Sequence, residues 1–160
     1  MKIRQGFVSN SSSSSFVVIG SNNIDADVTN YVDYSDTLTL GNRGVTEFGW
    51  DTIRYSSMFD RINFAYLQVM YMTQKPDIQA KWKAMLDVVI KAHFKCREIS
   101  WGLTDDYDAA DADSNINYGY IDHQSCSAEN SNIEIFDDIY TLERFLFCDD
   151  SYIQGGNDNG

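Results

Sequence analysis

Three segments of the chain carry residue types that could do chemistry. Residues 9 to 16 read Ser-Asn-Ser-Ser-Ser-Ser-Ser-Phe, between the apolar stretches Gly6-Phe7-Val8 and Phe16-Val17-Val18-Ile19. Small hydroxyl residues allow close backbone approach, and each offers an O–H and an N–H donor. A turn built from Ser9, Asn10, Ser11, Ser12 and Ser13 could therefore cradle an anion, as glycine-rich phosphate loops do. The nucleotide fingerprints GxxxxGK[ST] and GxGxxG are both missing from the sequence. A serine nucleophile here would need a base within hydrogen-bond reach. The second segment, Tyr120 to Ser125, sets Asp122, His123 and Ser125 at the end of a predicted strand. Histidine titrates near neutrality and a carboxylate can tune it. Adjacent strand residues point to opposite faces, however, so Asp122 and His123 are candidate catalytic groups without forming a dyad by sequence alone. The third segment is the tail Gly155 to Asn159, in which Asn157 and Asp158 offer oxygen ligands and amide donors.

A fourth feature is charge. The net charge is −12, and residues 101–160 hold one basic residue, Arg144, against fourteen acidic ones. Asp105, Asp106, Asp108, Asp111 and Asp113 crowd into one loop. Such a surface repels nucleic acid phosphates and attracts basic protein surfaces. Asp111, Asp113, Asn115 and Asp122 match ligand positions of a calcium loop, but Ile116 stands where the obligatory glycine belongs, so calcium is not expected. The three cysteines, Cys96, Cys126 and Cys148, have no metal-ligand spacing, and there are only two histidines. His93 falls on the apolar side of a predicted helix and reads as a core or boundary residue. No metal and no cofactor are expected, and the cysteine pattern suits a reducing cytoplasm. No apolar run approaches the ~20 residues of a membrane span, so no membrane partner is expected.

These groups must be held by a scaffold. At 160 residues and 43% apolar content, one globular domain over 1–160 with its own core is expected. Two short strands flank the serine run. Thr37–Leu40 and Val45–Trp50, around Gly41-Asn42-Arg43-Gly44, read as a β-hairpin. Asp51-Thr52 reads as the cap of a helix to about Thr73. Pro76 opens a second helix with Ile78, Trp82, Met85, Leu86, Val89, Ile90 and Phe94 at helical spacing. Strands are expected at Glu98–Leu103, Tyr118–Asp122 and Ser151–Gln154. A last helix is expected over Asp137–Phe147, with Ile139, Leu142 and Leu146 inward. The fold class is α+β: a mainly antiparallel sheet packed against a central helical hairpin and a third, C-terminal helix.

The block from Lys2 to Phe16 resembles a recurrent opening of uncharacterised bacteriophage and bacterial proteins. The blocks Tyr120–Ser125, Phe145–Phe147, Ser151–Ile153 and Gly156–Asn159 look like a second part of the same pattern. The resemblance implies a phage or mobile-element setting and carries no catalytic residue with it. Because its blocks lie at both ends of the chain, the two ends are expected to meet, with the serine run near Asp122-His123 and Asn157-Asp158. The favoured function is a small acidic accessory protein of the host cytoplasm that binds a host protein with a basic surface, to modulate the host or block a defence. The oligomeric state is left open. The alternative is an enzyme or binding protein for a phosphate-bearing small molecule or nucleotide. A structural or virion-associated role is the third reading.

Overall fold

The computed structural model describes residues 3–6, 16–24, 27–49, 52–110, 115–121 and 134–155. Its first strands are β1 (Ile3–Gly6), β2 (Phe16–Ile19), β3 (Thr37–Leu40), β4 (Glu47–Phe48) and β5 (Arg54–Tyr55). Two helices follow, α1 (Met58–Met70) and α2 (Pro76–Phe94). Then come β6 (Glu98–Trp101), β7 (Leu103–Thr104), β8 (Asn117–Tyr118) and β9 (Tyr120–Ile121), and finally α3 (Ile139–Phe147) and β10 (Tyr152–Gln154). The fold is α+β.

The largest sheet is antiparallel in the order β1-β2-β10-β5, so strands from the two ends of the chain lie side by side. Gly6 pairs with Phe16, and Phe16 in turn with Gln154. Gln154 pairs on its other side with Arg54. Alternation then sends Val17, Ile153 and Tyr55 to one face, where all three are buried.

Helix α3 packs on β2, and α1 and α2 pack against α3 and each other. Asp60 through Val69 of α1 are all buried, which makes α1 the central helix. Helix α2 buries Leu86, Val89, Ile90 and Phe94, with Pro76 in its tolerated first turn and Lys95 closing it in the left-handed conformation. Helix α3 is capped by Asp138, whose side chain accepts from the Thr141 amide at 2.7 Å. It buries Leu142, Phe145, Leu146 and Phe147. Ile139, expected inward, is 43% exposed, because it opens the helix beside its cap, ahead of the buried stripe.

Two local expectations are corrected. Strands β3 and β4 do not form a hairpin: β3 runs parallel to β6 and β4 parallel to β9. Parallel neighbours need a long crossover, and α1 with α2 supplies it between β3 and β6. Helix α1 begins at Met58, with Ser57 and Asp60 forming a reciprocal capping box, and not at Asp51-Thr52. The reason is that Arg54 and Tyr55 are taken by the sheet, which delays the helix by one turn or more.

The parallel pairs form a stitched ladder. The Gly102 amide donates to Leu40 O at 2.7 Å, and the Asn117 amide to Gly102 O at 2.8 Å. The Gly119 amide donates to Thr104 O at 2.7 Å, and the Tyr120 amide to Thr46 O at 2.8 Å. Gly119, between β8 and β9, presses on α1: a Cβ there would lie 2.7 Å from Leu103 Cδ1 and 2.8 Å from Leu67 Cδ2.

Arg61 ties the layers together. It is 2% exposed, and its Nε and Nη2 donate to Leu146 O at 3.2 and 2.9 Å. Its Nη1 donates to Ser56 O and to Ser151 O. Burial pushes the guanidinium down to about 10, still well above neutrality, so it stays charged. Replacing Arg61 with Met leaves the carbonyls of Leu146 and Ser151 buried without their donor, and that of Ser56 without its partner, and is expected to cost about 3 kcal/mol or more in urea unfolding. Arg61→Lys should rescue little, since an ammonium cannot reproduce the fork. A loss below about 1 kcal/mol for Arg61→Met would contradict this role.

Candidate functional site

Most of the segments singled out from the sequence fall outside the described residues. These are Ser9, Asn10, Ser11, Ser12, Ser13, Asp111, Asp113, Asp122, His123, Ser125, Asn157 and Asp158. The backbone that frames them is described. Gly6 and Phe16, which bound residues 7–15, are paired with each other, and Phe16 is paired with Gln154 just before the tail. The Gly155 amide donates to Ile53 O at 2.8 Å. The serine run and the tail are thus attached at the same end of one sheet. Residue 122 follows β9, where Ile121 pairs with Phe48, and the Phe48 ring packs edge-on against Tyr55 at 5.0 Å.

The acidic loop begins directly after β7. Thr104 Oγ1 accepts from the Asp106 amide at 3.1 Å, and Asp106 Oδ1 accepts from the Asp108 amide at 3.0 Å. Asp106 and Asp108 are exposed and Asp105 is half-buried. Burial, reinforced by Asp106, raises the Asp105 carboxyl above the ordinary carboxylate value. Among the described residues no cation pairs with Asp105, Asp106 or Asp108.

Two tyrosines, Tyr107 and Tyr118, pack together beside this loop, and two more, Tyr71 and the buried Tyr66, lie deeper. Tyr107 is 75% exposed and meets Tyr118 edge-on at 5.4 Å. The Tyr118 hydroxyl is pushed up first by burial, and also by the carboxylates of Glu47 and Asp105, which come from separate chain segments. Tyr71 Oη accepts from the Ile121 amide at 3.2 Å, and burial raises its pKa to about 12. Tyr66 stacks on Trp101 at 3.9 Å.

Beside Tyr118 lies a polar cleft of about 360 Å³. One wall is the turn Gly41–Gly44 with Thr46 and Glu47; the other is Asn117 and Tyr118. Asn117 Nδ2 donates to Gly41 O at 2.9 Å and joins the walls. Gly41 has φ +93°, and a Cβ on it would lie 2.7 Å from the Gly102 carbonyl carbon, so the turn depends on glycine there. The turn is anchored on α1. The Val45 amide donates to Asp60 Oδ1 at 2.7 Å. The fully buried Asn63 donates from Nδ2 to Arg43 O at 2.8 Å and to Val45 O at 3.0 Å. Arg43 itself is diverted: its guanidinium lies 5.1 Å from the Tyr31 ring centre and 5.8 Å from that of Phe59.

Sequence reading found the acids but not the tyrosines, Glu47 or the cleft. Glu47 and Tyr118 are far apart in the chain and come to line one cleft because β4 pairs with β9, where Glu47 faces Tyr120. The one available signal was Gly41-Asn42-Arg43-Gly44, read as a hairpin turn. His93 is a boundary residue as read: its Nε2 lies 3.0 Å from Glu143 Oε2 and its ring stacks on Phe147 at 4.1 Å. Among the described residues no group of three or more His, Cys, Asp or Glu could hold a metal, and no helix is long and apolar enough to cross a membrane. No family model, curated protein or solved structure matches the chain.

The half-buried Asp105 makes stability depend on pH. Its folded pKa lies above its unfolded one, so its contribution is most favourable below the ordinary value of 3.8 and is lost as pH rises through the raised value. Asp105→Asn is therefore expected to raise the melting temperature at neutral pH and to change it little in acid well below that value. Thermal melts of both proteins across that range check this; a variant less stable at neutral pH would refute it.

Proposed function

We propose that the protein works by binding a basic protein surface through the face that carries Asp105, Asp106, Asp108, Glu47, Tyr107 and Tyr118. The observation behind this reading is that acids without a cation partner among the described residues surround tyrosines that are partly or largely exposed. Tyrosine is enriched where proteins meet, because it presents a large rigid surface with a polar tip. Its ring also attracts cations. The surrounding carboxylates raise the rate of encounter with a basic partner and disfavour phosphate-rich ones, so direct nucleic acid binding does not suit this face. The resemblance of the N-terminal block to bacteriophage proteins supplies the setting: an accessory protein acting on a host protein in the host cytoplasm, as modulator or anti-defence factor.

A second reading draws on the main sheet. The serine run and the Asn157-Asp158 tail are attached at one sheet end, which would give a phosphate-bearing small molecule or nucleotide a place to bind, with Asp122 and His123 handling a proton.

The two readings separate in one experiment. Immobilised protein is exposed to lysate of the host at low salt, beside a triple variant with Asp105→Asn, Asp106→Asn and Asp108→Asn. The binding reading expects a discrete partner that the variant captures about tenfold less. Raising salt from about 50 to about 500 mM should weaken the wild-type complex by a similar factor, as the charges are screened. Capture equal for both proteins, or insensitive to salt, would remove the acidic face from the function. In that case loss of metabolite binding in His123→Ala would favour the second reading.

A further inference from the structure

We infer that the cleft between the Gly41–Gly44 turn and Tyr118 is the seat for one arginine side chain of the partner. This inference rests on the binding reading above and adds the chemistry of its anchor point.

The cleft is built before any ligand arrives. Its walls come from segments far apart in the chain, joined by the Asn117 side-chain bond to Gly41 O and by the Tyr120 amide bond to Thr46 O. The turn is pinned from below by Asp60 and Asn63. A pre-formed recess loses little entropy when a side chain enters it. At about 360 Å³ it sits at the low end of the ~300–1,000 Å³ typical of small-molecule sites, a size suited to a single long side chain.

Its lining is polar and carries a carboxylate. Among the described residues the one formally charged group of the lining is the Glu47 carboxylate, beside the neutral polar residues Thr46, Asn42 and Asn117. No lysine or arginine among the described residues lines it. Arg43, the cation of the same turn, lies over Tyr31 and Phe59 and does not line the recess. An anion is thereby disfavoured and a cation favoured. Tyr118 supplies an aromatic wall, braced by Tyr107. A planar guanidinium can stack on such a ring while its fork meets a carboxylate through two N–H donors; an ammonium does only part of this. The protein already pairs its own guanidinium groups with rings, Arg54 lying 4.0 Å from the Tyr152 ring centre.

The test is an amide-shift titration of the whole chain with N-acetyl-arginine amide, beside its neutral isostere N-acetyl-citrulline amide and the lysine analogue. The arginine compound should move the Asn42, Gly44, Thr46 and Glu47 amides, with citrulline binding at least about tenfold more weakly and lysine intermediate. Glu47→Gln should weaken the arginine compound about tenfold, and Tyr118→Leu about fivefold. Because Glu47 is exposed, its variant should keep the wild-type melting temperature, which separates lost binding from lost folding. Equal shifts for arginine and citrulline, shifts away from the cleft, or indifference to Glu47→Gln would overturn the inference. An oligoarginine peptide separates this failure from failure of the wider reading. If it binds wild type and Glu47→Gln equally but not the triple aspartate variant, the anchor falls and the acidic face stands. If it does not bind wild type at low salt, both fall.

Discussion

The buried guanidinium of Arg61 is the constraint around which the layers are arranged. Among the described residues it forms no ion pair; instead three backbone carbonyls accept its donors. One of them, Leu146 O, belongs to the last turn of α3, where carbonyls lack intrahelical partners and the helix dipole is negative. Burying a charge is unfavourable unless its donors are satisfied, and here each accepting carbonyl gains a donor in return. The geometry fixes where α3 ends and where Ser151 sits. That places β10 between β2 and β5 and so holds the N-terminal strands against the C-terminal ones.

A second set of bonds extends this corner. Ser151 Oγ donates to Arg144 O at 2.7 Å and accepts from the Gly20 amide at 2.7 Å. Asp150 accepts from the amides of Ser21 and Asn22. Arg144 donates to Gly20 O and Asn22 O. The segment leaving β2 is thus bonded along its length to the turn between α3 and β10. This corner closes the end of the sheet opposite to the one at which the serine run and the tail are attached. The acidic face lies elsewhere, on the parallel ladder, and its shape depends on a different anchor: Asp60 and Asn63 beneath the Gly41–Gly44 turn.

What could be read from the sequence follows the range of the interactions. Helix α2 was legible because Leu86, Val89, Ile90 and Phe94 recur with the helical period and Pro76 marks its start. The same holds for the stripe of α3. Strand positions were legible from short apolar runs, but strand partners were not. Leu40 and Glu47 flank a glycine turn, which locally is a hairpin signal; whether they pair is decided by β6 and β9, far along the chain. The cap at Ser57 was hidden for the same reason, since only the β5–β10 pairing withdraws Arg54 and Tyr55 from the helix. At the site, the aspartates were visible as composition, whereas Glu47 beside Tyr118 is a product of non-local register. Arg61, lying in a helix that reads as apolar on several faces, gave no local sign of the carbonyls it would meet.

The acidity of the chain is made effective by how its arginines are used. Arg43 lies over Tyr31 and Phe59, Arg54 over Tyr152, and Arg144 near Tyr140 while it donates to two carbonyls. Arg61 and Arg97 donate to carbonyls as well. None of these five forms an ion pair among the described residues, where the one lysine bridge is Lys83 with Asp87 on α2. A protein with 24 acidic and 12 basic residues could have masked half its carboxylates with its own cations. Here the arginines are spent on rings and carbonyls, so the carboxylates around Tyr107 and Tyr118 keep their field. Net charge alone would not direct that field anywhere. Its direction comes from the ladder, which gathers Glu47 and Asp105 around one tyrosine while the nearest arginine is turned the other way.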